Sequence, residues 1–179
     1  MVQEVSIDQL KGSLGSLLLL WSKIERTSRD VVTRAHDGKF PKSGHGIAAV
    51  LNAWEASVAE GQPASSFRVL LASTLRAQLK EPLEIRNGVC HGLIGLSASQ
   101  CNQPATLTWE LNDERRSVSW EELQSLFGWL SKVPFAISMI SKLPSEEPGS
   151  RMTDTLQNRE WWRAEYGIGL EVAKPTGAR

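Results

Sequence analysis

Glu84-Ile85-Arg86-Asn87-Gly88-Val89-Cys90-His91-Gly92 is the stretch on which the reading of this chain turns. It places an arginine, the adjacent asparagine and a histidine within six residues. Leu83, Val89, Leu93 and Leu96 around it have helical spacing, and Pro82 suits a first helical turn. A helix from residue 82 to about 96 is therefore predicted. On it Asn87 and His91 share a face, while Arg86 lies about 140° around the axis from His91 and must reach in from the side. The arginine fork matches phosphate oxygens, and a histidine titrating near neutrality handles protons. Phosphodiester cleavage by a ribose 2′-hydroxyl needs those two functions and no metal.

Upstream, Ser6-Ile7-Asp8-Gln9 matches a capping box. Ile7, Leu10, Leu14, Leu17, Leu18, Trp21, Ile24, Val31, Val32 and Ala35 then form a helical seam interrupted at Ser28. One helix over residues 6 to 36, roughly 45 Å long, is expected. Gly12 and Gly15 weaken its interior by about 1 kcal/mol each, which suggests a closely packed neighbour. Asp37-Gly38 ends it, and Gly38-Lys39 with Lys42-Ser43-Gly44 reads as a loop, because the residue order of a phosphate loop is absent. A second stripe is Ile47, Val50, Leu51, Trp54 and Val58. A third, capped by Ser65 or Ser66, is Phe67, Leu71, Leu75 and Leu79.

Downstream the pattern changes. Ala105 to Glu110 alternates, Asn112-Asp113 is a turn signal, and Arg116-Ser117-Val118 alternates again. That is a hairpin inserted at about 103–119, whose Leu107, Trp109 or Val118 should pack on the helices. Ser119-Trp120-Glu121-Glu122 is a second capping box, opening a helix through Leu123, Leu126, Phe127, Leu130, Ile137 and Ile140 that Pro134 should kink. Pro144 closes the bundle, so residues 1–144 form one body and residues 145–179 a tail. In that tail Trp161, Trp162 and Tyr166 lie on a turn or two of helix, suited to stacking bases or to anchoring the tail on its own domain or a second subunit.

Composition narrows the classes. In 179 residues, 20 basic and 20 acidic side chains cancel, so no global positive field recruits nucleic acid and any RNA contact must be local. Arg68, Arg76 and Lys80 are the cations nearest the motif for such a patch. The apolar run Leu17 to Trp21 is far short of the roughly 20 residues that span a bilayer, and no signal peptide is evident, so a cytoplasmic chain is expected. Cys90, His91 and Cys101 lack a fourth ligand and Cys-x2-Cys spacing, which argues against zinc, and no nucleophile elbow is present. Neither a metal nor an organic cofactor is expected.

Arg86-Asn87-Gly88-Val89-Cys90-His91 resembles the Arg-polar-x3-His signature of the HEPN superfamily. The likeness covers six residues in motif and residues 6 to 143 in architecture. It implies an all-α helical bundle, here with a long N-terminal helix and a small inserted β-hairpin. It also implies metal-independent endoribonuclease activity at a composite site of a homodimer, in toxin–antitoxin or anti-phage contexts with a cognate antitoxin or partner protein. Arg86 would stabilise the phosphorane, His91 would move protons, and Asn87 would orient the phosphate or His91. Gly88 departs from the pattern by weakening the helix at the site. Because many such domains are inactive, a non-catalytic helical module binding a partner protein or nucleotide is the competing expectation.

Overall fold

The computed structural model describes residues 4–41, 46–100, 103–142 and 150–170. The readings of Lys42-Ser43-Gly44, of Cys101 and of the break at Pro144 lie outside these residues.

The N-terminal helix α1 spans Ile7–Ala35. Ser6 caps it, accepting from the Gln9 N–H while the Gln9 side chain accepts from the Ser6 N–H. Its seam buries Leu10, Leu17, Trp21, Ile24, Val31 and Val32. Ser28 does not interrupt that seam, because its hydroxyl donates to the Ile24 carbonyl within the helix and needs no water. Leu18 is exposed. Gly12 and Gly15 face open space, so no neighbour packs closely there.

Helix α2 (Ile47–Ala59) buries the whole Ile47, Val50, Leu51, Trp54, Val58 stripe. Helix α3 (Phe67–Gln78) is capped by Ser66. Helix α4 (Lys80–Gly92) follows across Leu79 alone. It begins two residues before Pro82, which is tolerated because first-turn N–H groups have no intrahelical partner.

The expected run of α4 to about residue 96 is wrong. The chain leaves the helix after Gly92 and becomes strand β1 (Leu93–Ser97), with Leu93 and Ile94 exposed. Short apolar runs satisfy helix and strand periods alike, and pairing with β2 decides this one. Strand β2 (Thr106–Leu111) and strand β3 (Glu114–Ser119) form the expected hairpin, with Asn112 and Asp113 at φ 54° and 62° in its two-residue turn. The all-α expectation thus holds for most of the chain, but the insert is a three-stranded antiparallel sheet in the order β1-β2-β3. Leu96 pairs with Leu107 and Leu107 with Val118, and the β1 register shifts between Leu93 and Gly95. Leu107, Trp109 and Val118 are buried.

Helix α5 (Trp120–Ser141) starts at the Ser119–Glu122 capping box and continues through a buried Pro134. Helix α6 (Leu156–Tyr166) is longer than the expected turn or two. Trp162 and Tyr166 join the bundle core; the Trp162 indole N–H donates to the Arg151 carbonyl, and the Trp129 indole N–H donates to that of Tyr166. The aromatic cluster is therefore packed within its own chain. No helix of the described residues is long and apolar enough to cross a membrane.

Candidate active site

Helix α4 carries Arg86, Asn87 and His91, and the sheet fixes which way it faces. A Cβ on Gly88 would lie 2.6 Å from Trp109 Cε2 and nearer still to Cδ1 and Nε1. One on Gly92 would lie 2.9 Å from the Glu110 carbonyl carbon and nearer to its oxygen. Four residues apart, the two glycines form the stripe on which β2 rests. Gly88, a weak point in the sequence reading, is what lets Trp109 approach the helix.

Asn87 and His91 share a strip beside that stripe, with His91 exposed and Asn87 half-buried. The half-buried Arg86 reaches Asn87, its Nη1 donating to Asn87 Oδ1 at 2.9 Å, while its Nε is enclosed and, among the described residues, has no hydrogen-bond partner. Glu84 does not pair with Arg86. It accepts from Arg116 Nη1 at 3.2 Å, and Arg116 also contacts Glu114. Those two carboxylates, Glu114 first, raise the Arg116 pKa above its ordinary value. Among the described residues no carboxylate closes the Arg86 fork, and His91 has no side-chain partner. Arg86 and Asn87 are thus brought together, and His91 stands apart on the same helix.

The more remote cations are placed otherwise. Arg68 donates from Nε and Nη2 to the Ile140 and Ser141 carbonyls at 2.7 and 3.0 Å, closing the α5 C-terminus, and its burial lowers its pKa. Arg76 donates to Asn52 on α2. Lys80 is exposed at the start of α4.

Two cavities flank α4. One, of about 280 Å³, takes in Asn87 with Glu84, Trp109 and Arg116. The other, of about 720 Å³, runs between α4, β3 and the start of α5. Neither includes Arg86 or His91. Pairing across 32 residues, such as Glu84 with Arg116, leaves no local sequence signal, and the close approach of β2 at Gly88 and Gly92 was not read from the sequence. Among the described residues no group of three or more His, Cys, Asp or Glu side chains is arranged to hold a metal. Comparison with models of protein families, with curated proteins and with solved structures gives no match.

Proposed function

We propose that this protein is a HEPN-like, metal-independent endoribonuclease acting as a homodimer, with two copies of the α4 strip facing one RNA strand. The observation that carries this reading is the Arg86 guanidinium, tethered by Asn87 and, among the described residues, without a carboxylate on the helix that presents His91. Glu84, two residues before Arg86 and on another side of α4, is held by Arg116, so the Arg86 fork keeps Asn87 as its side-chain partner among the described residues. Neither flanking cavity is lined by Arg86 or His91, which fits a site completed by a second subunit.

In this mechanism His91 of one copy accepts the ribose 2′-hydroxyl proton. The 2′-oxygen–phosphorus bond forms as the bond from phosphorus to the 5′-oxygen breaks. The second copy of His91 protonates that leaving oxygen, giving a 2′,3′-cyclic phosphate and a 5′-hydroxyl. Arg86 neutralises charge on the phosphorane. Asn87 is a positioning residue, acting through Arg86. Lys80, on the same helix, is the best placed of the sequence-nominated cations to hold the backbone. A cytoplasmic toxin or anti-phage effector held by an antitoxin is the corresponding biological setting.

RNA incubated with the protein in EDTA tests the reading. Cleavage to cyclic-phosphate ends by the wild type and its loss in His91→Ala support it. Absence of cleavage by a folded wild-type dimer transfers the assignment to the non-catalytic helical module, which the acidic lining of the larger cavity favours.

A further inference from the structure

The cavity of about 720 Å³ beside α4 has an apolar floor and an acidic rim. Trp109, Ile85, Val118 and Leu126 make the floor. Glu81, Glu84, Glu121 and Glu122 contribute four negative charges and Arg116 one positive, a lining balance of −4 + 1 = −3. Helices α4 and α5 both begin here, and their N-terminal dipoles of about half a charge each explain acidic residues in these first turns. The dipoles offset part of the charge and leave about −2. Glu122 is occupied by its capping box and Glu84 by Arg116. Glu81 and Glu121 are exposed and, among the described residues, have no hydrogen-bond or ion-pair partner.

From this complementarity we infer that the cleft docks a basic, apolar segment of a partner protein. Aliphatic side chains of the segment cover Ile85 and Leu126, and its lysine or arginine heads meet Glu81 and Glu121. The balance of charge repels a phosphodiester backbone, so this cleft is not the path of RNA. Its wall includes Glu84 and Ile85, immediately before Arg86, so a docked partner sits at the edge of the proposed catalytic strip. The inference does not depend on the nuclease reading.

The probe is a short fluorescein-labelled peptide of alternating leucine and arginine, titrated with the full chain by anisotropy beside a leucine–glutamate counterpart. The basic peptide is expected to bind and the acidic one not to. Glu81→Gln/Glu121→Gln should raise Kd about two- to thirty-fold, the range for losing two exposed ion pairs. Glu60→Gln/Glu160→Gln, elsewhere on the surface, should not change it. His91→Ala should bind the peptide as the wild type does, whatever its effect on RNA. No binding of the basic peptide, equal weakening by both double variants, or displacement by single-stranded RNA would overturn the assignment. So would dissociation of a dimer by the peptide, which would make a second copy the occupant.

Discussion

Replacing Gly92 with alanine separates intrinsic helix preference from packing against the sheet. On preference alone the change gains at most about 1 kcal/mol, the value for a helix interior, because Gly92 is the last residue of α4. The new methyl, however, would stand 2.9 Å from the Glu110 carbonyl carbon, against ordinary carbon contacts of about 3.5 to 4.0 Å. Its neighbour is backbone, so relief requires β2 to shift and loosens Trp109 and Leu107 in the core. Overpacking of this kind costs about 3 kcal/mol at the upper end of its usual range, for a net loss of about 2 to 3 kcal/mol. Gly12→Ala and Gly15→Ala supply the contrast, since both face open space and should each gain about 1 kcal/mol. Urea unfolding of the three variants reads these differences directly. In thermal melts Gly92→Ala should fall by about 4 to 8 °C and the α1 variants rise by about 2 to 4 °C. Gly92→Ala at or above wild-type stability would refute the close approach of β2 to α4.

Three further outcomes are expected. Trp162→Ala should cost about 3 to 5 kcal/mol in urea unfolding, because it empties a fully buried site and strands the Arg151 carbonyl; a cost under about 1 kcal/mol would remove α6 from the core. The Glu122 carboxyl is held below its ordinary pKa by the Ser119 backbone N–H and then its hydroxyl, and that of Asp154 by its hydrogen bond from Arg159. Their contribution is thus present above the unfolded carboxylate pKa and lost as pH falls through the lower folded value, so Glu122→Gln should lose less stability than the wild type between neutral pH and about pH 3. Cys90 is exposed next to His91, so in a Cys101→Ser background a short bis-maleimide should link two chains if two α4 strips face each other; a chain that remains monomeric under the reagent, although dimeric in solution, places the interface elsewhere.

Much of the helical frame was legible because its signals are local. Both capping boxes, the Ser66 cap and the apolar stripes of α2 and α3 act within one or two turns, and each lies where spacing puts it. The Asn112-Asp113 turn was legible for the same reason. Strand β1 was not, since Leu93-Ile94-Gly95-Leu96 has no period that excludes a helix and its conformation is set by partners such as Thr108 and Leu107. Gly12-x2-Gly15 and Gly88-x3-Gly92 look alike in sequence, yet only the second meets a neighbour. At the candidate site, the link between Arg86 and Asn87 is a contact of adjacent residues. The pairing of Glu84 with Arg116 depends on how the hairpin lies on α4 and has no local trace. The same holds for the acidic cleft, assembled from α4, β2, β3 and α5.

The proposed cleavage of RNA by Arg86 and His91 through the ribose 2′-hydroxyl is read by one comparison. Wild-type protein in EDTA is given an RNA oligonucleotide and its fully 2′-O-methylated counterpart, with folded His91→Ala and Arg86→Ala in parallel. Cleavage of the unmodified strand only, to cyclic-phosphate ends, is expected. His91→Ala should be slowed about 10²- to 10⁴-fold and Arg86→Ala about 10²- to 10³-fold. Equal cleavage of the methylated strand, wild-type rates in either variant, or no cleavage by the wild type would contradict it.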